Sequence, residues 1–163
     1  SDVCSSDLRF KALDASPKYF AYYETNDLGA LTTPTYKAIL ADQSDWSKRV
    51  MAKFQNFSRF CGPLIMRAGR GHGANALVVQ AKGGKKLGSL LADVLKTSVD
   101  LPLAVTGYLW KADPEATGDK SVKDQYIMVI EALDEETLRN ISANRLRPST
   151  FAEAECEIGR AHV

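Results

Sequence analysis

The sequence predicts an α+β fold made of two tandem strand-and-helix repeats, and three observations predict it. The first is that Lys18-Tyr-Phe-Ala-Tyr-Tyr-Glu-Thr-Asn-Asp27 superimposes on Gln125-Tyr-Ile-Met-Val-Ile-Glu-Ala-Leu-Asp134 without a gap. Tyr19 matches Tyr126, Glu24 matches Glu131, Asp27 matches Asp134, and Leu31 matches Leu138 in the helix that each Asp would cap. The second is that the later half reads strand, helix, strand, strand, helix. That order is most of a βαββαβ ferredoxin-like unit, an antiparallel sheet with helices on one face. The third is that the earlier half begins at a hairpin, so the first repeat lacks its first strand and first helix.

The elements follow from local chemistry. Arg9 to Leu13 and Lys18 to Thr25 are short β-type runs separated by Asp14-Ala15-Ser16-Pro17, a turn-rich break. Asp27 can cap a helical stretch with Leu28 and Leu31 facing inward. Thr33 caps a second helix with Pro34 at its first position, which would put Tyr36, Ile39 and Leu40 on one side. From Asp45 a further helix carries Trp46, Val50 and Phe54 at four-residue spacing, one apolar stripe. Phe57 to Met66 is apolar enough for a strand, with Gly62-Pro63 as an interruption or an edge bulge.

In the second half, Asn75 to Ala81 reads as a strand. Lys85 to Thr97 is the clearest helix, with Leu87, Leu90, Leu91, Val94 and Leu95 on one face. Leu103 to Lys111 and Gln125 to Ala132 are two more strands, joined by the polar segment Asp113 to Asp124. Asp134 caps a helix to about Arg145, with Leu133 and Leu138 spaced for a hydrophobic staple. Ser149 to Cys156 is a poor candidate for the last strand that this unit requires.

The two ends read differently. Glu-Ile-Gly-Arg-Ala-His-Val at 157–163 back-translates to DNA containing AGATCGGAAGAGCACACGTC, whose reverse complement encodes Asp-Val-Cys-Ser-Ser-Asp-Leu, residues 2–8. Both ends are therefore expected to be translated library adapter rather than natural protein, with natural sequence continuing before Arg9. The expected organisation is adapter at 1–8, a truncated first repeat at 9–68, a linker at 69–74, a second repeat at 75–156, and adapter at 157–163.

Over the whole chain of 163 residues the net charge is +1. Without the two ends, Lys+Arg falls from 21 to 20 and Asp+Glu from 20 to 17, a net charge of +3. That excess is too small and scattered for a nucleic-acid footprint. Cys61 and Cys156 are then the remaining thiols, with neither a disulfide framework nor zinc-ligand spacing, so a cytoplasmic setting is the default. No apolar run approaches the ~20 residues that span a bilayer as a helix, and neither a membrane nor a nucleic acid is expected as partner.

Several groups could carry chemistry. Gly69-Arg70-Gly71-His72-Gly73 looks like a phosphate cradle, but such loops need a helix N-terminus after them, and here a strand follows. It reads as a connector between halves. Gly83-Gly84-Lys85-Lys86 does precede a helix, yet lacks the hydroxyl residue and spacing of a phosphate loop. His72 is the one histidine outside the adapter-like ends and the weak catalytic candidate, since imidazole as a side-chain type exchanges protons near neutral pH. Tyr22, Tyr36, Trp46 and Arg49 are the ligand-pocket candidates: three aromatic walls and a cation that could orient a carboxylate, or instead pair with Asp45 one helical turn away. No cofactor and no metal are expected.

The runs Lys18-Tyr-Phe-Ala-Tyr-Tyr-Glu24, Ala30-Leu-Thr-Thr-Pro-Thr-Tyr36 and Asp45-Trp-Ser-Lys-Arg49 resemble an uncharacterised bacterial family of the dimeric α/β-barrel superfamily, alongside EthD-type proteins. Members read a tyrosine-rich strand, Leu-x-Ser-Pro-x-Tyr, then Trp-Thr-x-Arg. The resemblance covers about 9–60 and, beyond that, strand order alone. It implies two ferredoxin-like halves facing each other as an intramolecular pseudo-dimer, with a homodimer left open. The family's Trp-Tyr-x-x-Glu-His-x-Pro segment has no counterpart here. The resemblance implies a binding or accessory protein for a small hydrophobic or aromatic metabolite. The alternatives are a cofactor-free EthD- or monooxygenase-type enzyme acting on an aromatic or polyketide-like metabolite, and a pure interaction module.

Overall fold

The computed structural model describes residues 8–13, 17–147, 151 and 155–162. The expected turn at Asp14 to Ser16 and the run Ser149-Thr150 lie outside the described residues.

Two strands, β1 (Leu8–Ala12) and β2 (Tyr19–Tyr22), form the antiparallel hairpin that the alternating pattern predicts, with Phe10 opposite Phe20. A 3-10 helix at Leu28–Thr32 follows, and the Asp27 carboxylate accepts the Gly29 N–H at its start. Next come α1 (Pro34–Ala41), capped by Thr33 with Pro34 in its first turn, and α2 (Asp45–Met51), capped by Ser44. Strand β3 (Leu64–Gly69) begins after Pro63 rather than before it, because proline has no N–H to give to the ladder.

The second half contains β4 (Asn75–Lys82), α3 (Lys85–Val99), β5 (Ala104–Lys111), the short α4 (Pro114–Thr117), β6 (Gln125–Ala132), α5 (Glu135–Arg145) and β7 (Glu155–His162). Within it the strands lie side by side as β7, β4, β6, β5, with β4 between β7 and β6. That is the ferredoxin-like order, with the last strand supplied by β7 rather than by the poor candidate Ser149 to Cys156. In this chain β7 fills that place with Glu155–His162, so the second unit extends past Cys156. An extended segment beside the free edge of β4 completes its ladder, and here it does so over all eight residues of each strand.

All seven strands belong to one antiparallel sheet, in the order β2-β1-β7-β4-β6-β5-β3. The halves are therefore not two beads on a linker: β1 of the first pairs with β7 of the second, and β3 of the first pairs with β5. Each half gives its second strand to the other's fourth. Five steps of a flat sheet, at ~4.8 Å each, would separate β2 from β5 by about 24 Å. Yet the Tyr22 ring on β2 lies 5.5 Å from both Tyr108 and Trp110 on β5. The sheet is thus curled until its ends approach each other.

Curling gives the sheet an outer and an inner face. On the outer face, Leu77, Val79, Leu109, Met128 and Ile130 pack against Leu87, Leu91, Val94 and Leu95 of α3 and Leu138 and Ile141 of α5. Each such leucine contributes roughly 1.5–3 kcal/mol by leaving water. Gly107 is required there, since a β-carbon would sit 2.3 Å from Leu95 Cδ1. The inner face carries Phe10, Tyr22, Ala76, Tyr108, Val129 and Ala161, flanked by Phe20, Val78, Trp110 and Ile127.

Three packing expectations are corrected. The 3-10 helix, α1 and α2 bury no residue, so Leu28 and Leu31, expected to face inward, are only half-buried, and Ile39 and Leu40 on α1 are exposed. Helix α2 ends at Met51, before Phe54, and Trp46 is solvent-exposed. The staple across Asp134 does not form, because Leu138 is buried while Leu133 points to solvent.

Strand β7 is the sole ladder partner that joins β1 and β2 to the second half among the described strands. Deleting 157–163 is expected to lower the melting temperature by about 10 °C or more, given ~2–4 °C per kcal/mol at this size. Amide exchange should accelerate in β1 and β2 and stay slow in β5 and β6. Unchanged protection of the hairpin would show that β7 does not hold it.

Candidate functional site

One acidic side chain stands on the inner face. Residues Ile127, Val129 and Glu131 alternate inward along β6, and Glu131 is fully buried. A carboxylate removed from water is costly unless its oxygens are matched by donors. The Tyr22 hydroxyl donates to Oε1 at 2.5 Å, and the Gly73 backbone N–H donates to Oε2 at 2.8 Å. His72 adds its Nδ1 at 3.4 Å from Oε2, with its ring 44% exposed. The partners come from two separate places in the chain, the hairpin for Tyr22 and the inter-half loop for His72 and Gly73, and converge on β6.

Local sequence dictates each position. Tyr22 faces inward because Phe20 and Tyr22 share the parity of β2, leaving Tyr19 and Ala21 outward. Gly73 reaches Glu131 because it lies against Ala132, where any β-carbon would come within 2.6 Å of the Ala132 backbone nitrogen. Gly69 and Gly71 adopt positive φ angles of 75° and 91°, turning the chain from β3 into β4 and setting His72 over the carboxylate. Burial raises the pKa of Tyr22 above the ordinary tyrosine value of 10.0, and the hydrogen bond to Glu131, its charge and Tyr108 add to the rise. The phenol is held as a donor.

Around this group lies an aromatic wall. Tyr108 and Trp110 stack at 5.3 Å and 11°, Phe10 and Phe20 flank Tyr22, and the Arg67 guanidinium lies 5.2 Å above the Tyr108 ring. Trp110 and Phe20 are half-buried, and Arg67 is exposed. Two shallow clefts among the described residues lie elsewhere. One of about 250 Å³ is bounded by Pro102, Leu103 and the start of α5, and one of about 190 Å³ by Leu28, Gly29, Thr32 and α4. Neither has an aromatic wall or reaches Glu131, and both fall below the ~300 Å³ usual for small-molecule pockets.

Of the sequence candidates, the structure brings Tyr22 and His72 onto the same carboxylate. Tyr36, Trp46 and Arg49 are not with them. Tyr36 receives a hydrogen bond from Arg59 Nη2 at 3.1 Å, Trp46 is exposed on α2, and Arg49 makes no ion pair with Asp45 among the described residues. Glu131, Gly73, Tyr108 and Trp110 were not singled out as site residues. A signal existed for Glu131: it is the single acid in an otherwise apolar strand, on the parity that faces the sheet's interior. Among the described residues no cluster of His, Cys, Asp and Glu could hold a metal ion. No helix of the described chain is long and apolar enough to cross a membrane.

No protein-family model matches the chain, and no curated protein matches it. Solved structures do share its fold. A protein described as a candidate monooxygenase from Fusobacterium nucleatum superimposes with a TM-score of 0.59 at 13% identity, covering 99% of this chain and 77% of that one. A staphylococcal protein described as a major regulator of pathogenesis gives 0.57 at 8% identity, covering 96% and 84%. A heme-degrading enzyme from Listeria monocytogenes gives 0.45 at 10%, covering 74% and 94%. For the first two, at these identities, the likeness is one of fold alone.

Tyr22→Phe leaves Glu131 Oε1 without its donor and is expected to cost about 1–3 kcal/mol in urea unfolding at neutral pH. The raised pKa sets the sign of the alkaline behaviour. The unfolded tyrosine ionises near 10.0 while the folded one keeps its proton, so stability present below pH 10 falls as pH rises past it. Tyr22→Phe should flatten that alkaline slope. An unchanged slope would place the shift elsewhere.

Proposed function

We propose that the inner face of the curled sheet binds a small, flat aromatic metabolite, stacked on Trp110 and Phe20 with its polar end toward His72 and Glu131. The observation that carries this reading is the fully buried Glu131 carboxylate, donor-matched by Tyr22 and Gly73 and set in an aromatic wall. Ligand sites of this kind combine apolar walls with a few fixed polar groups. Arg67, lying over Tyr108 at the same wall, adds a cation for an acidic or phenolic ligand.

A second reading has its own observation. His72 presents Nδ1 to the carboxylate, and its ring is 44% exposed, which leaves the other nitrogen available to a ligand. A carboxylate that orients an imidazole in this way is the arrangement of a general base. It would take a proton from an acidic C–H or phenolic O–H without a cofactor, the proton resting on Nε2 beside the buried anion. The monooxygenase description of the Fusobacterium nucleatum protein is compatible with chemistry on this fold, and fold alone does not assign it.

Titration of the protein with 1-naphthol and with 1,8-dihydroxyanthraquinone, measured by isothermal titration calorimetry, tests the first reading. Binding is expected to weaken at least tenfold in Trp110→Ala and to persist in Trp46→Phe. Equal affinity in Trp110→Ala, or no binding of either probe, would overturn it. For the second reading, His72→Ala should retain binding yet lose catalysed solvent-deuterium exchange into 2-tetralone. Exchange that survives in His72→Ala would remove the imidazole from the mechanism.

A further inference from the structure

The chain holds six tyrosines, and the charges beside their rings divide them. Lys18 lies 5.7 Å over Tyr19, Arg59 5.9 Å over Tyr36, Arg67 5.2 Å over Tyr108 and Lys111 5.8 Å over Tyr126, while Tyr23 is exposed to solvent. Tyr22 meets an anion instead, donating its hydroxyl hydrogen to the fully buried Glu131 carboxylate at 2.5 Å. A cation held over an aromatic face is attracted by its electrons, so it opposes the removal of one of them. A neighbouring anion favours that removal.

Oxidation of a phenol also needs somewhere for its proton to go, because the ring that has lost an electron is a strong acid. Glu131 Oε1 is already in place, at a distance typical of a charge-assisted O–H to carboxylate bond. Transfer of that proton neutralises a carboxylate that is costly to keep ionised out of water. Before the electron leaves, burial and the bond to Glu131 raise the Tyr22 pKa, so the phenol keeps its proton. Proton and electron therefore depart together.

Tyr22 is itself buried and needs a contact that leads outward. Trp110 supplies one: its ring lies 5.5 Å from Tyr22, it stacks on Tyr108, and it is half-buried at the rim of the inner face. Electron tunnelling falls exponentially with the gap between donor and acceptor, so two rings in contact form the fast route. Indole can release an electron without first losing a proton.

We infer that Tyr22 is a redox-active tyrosine, with Glu131 as its proton acceptor and Trp110 as the ring through which an outer-sphere one-electron oxidant withdraws its electron. The oxidant takes one electron from the Trp110 indole and is reduced by that electron. The indole cation radical then takes one electron from Tyr22, whose O–H bond breaks as a new O–H bond forms on Glu131 Oε1. The products are a neutral Tyr22 phenoxyl radical, a neutral Glu131 carboxylic acid, the restored indole and the reduced oxidant. This activity does not rest on the ligand reading above, since no metabolite takes part in it.

The test uses tris(bipyridine)ruthenium(III), generated by a light flash with pentaamminechlorocobalt(III) as electron acceptor. The protein carries Tyr19→Phe, Tyr23→Phe, Tyr36→Phe and Trp46→Phe, so that rings outside the inner face do not react. With 3-fluorotyrosine installed at position 22 alone, electron paramagnetic resonance is expected to show a phenoxyl radical split by fluorine. A phenoxyl signal without that splitting, or no phenoxyl signal, overturns the inference, and this near-isosteric change keeps the hydrogen bond to Glu131. Trp110→Phe is expected to slow formation of the phenoxyl at least tenfold, and an unchanged rate overturns the route through the indole. Glu131→Gln keeps the size of the side chain but removes the base. It is expected to lower the phenoxyl yield at least tenfold and to leave a tryptophan radical in its place. A purely structural role for Glu131 would not move the radical from one ring to another, and an undiminished phenoxyl yield overturns its role as proton acceptor.

Discussion

The fold's tightest constraint is a carboxylate that cannot reach water. Glu131 sits inside the curl of the sheet, and an ion there persists only if every nearby donor is aimed at it. Its partners fix the relation of three separate parts: the Tyr22 hydroxyl ties the hairpin to β6, the Gly73 N–H ties the loop after β3 to β6, and His72 stands at the rim. The curl, the closeness of Tyr22 to Tyr108 and Trp110, and the path of the inter-half loop all have to satisfy that one group. Aromatic contacts supply the apolar area, but they tolerate sliding and tilting. The hydrogen bonds specify the arrangement.

The second half was largely legible from sequence because its elements answer to local rules. The alternation of β4 and β6, the leucine face of α3 and the cap of α5 by the Asp134 carboxylate on the Thr137 N–H each follow from residues close in the chain. The hairpin, the Thr33 cap and the Asp27 cap in the first half followed for the same reason. What failed there was the step from periodicity to burial. An apolar stripe such as Ile39 and Leu40, or Trp46 and Val50, states that a helix has a face to hide, but not that anything lies opposite. Leu133 failed similarly, since a staple needs the preceding chain to turn back over the helix, and here Leu133 instead donates its N–H to the Leu103 carbonyl.

The site was half legible. Tyr22 and His72 were singled out for their chemistry, and their shared partner was visible as the acid that the repeat aligns with Glu24. Joining them required knowing that the sheet curls, a property of the edge-to-edge pairing of two halves rather than of any one strand. Gly69 to Gly73 shows the same limit from the other side. Its residues read as a connector, whereas close packing against Ala132 and the amide directed at Glu131 make it part of the candidate site. Tyr36, Trp46 and Arg49 share the aromatic or cationic chemistry that groups them with Tyr22, whereas the helices carrying them are not part of the inner-face cluster.

The unequal grip of β7 on its two neighbours shapes how the molecule can move. Among the described residues it pairs with β4 along eight positions but with β1 at Lys11 and Ala12 alone, with the Leu13 N–H on the Arg160 carbonyl beside them. The hairpin is therefore fastened at one corner, like a door on a short hinge, and its far edge is held by the phenol of Tyr22 acting as the latch. Swinging it outward would break the Tyr22 bond to Glu131 and wet the carboxylate in a single motion. Exposure of the interior and loosening of the first half are then the same event, and the ease of one sets the ease of the other.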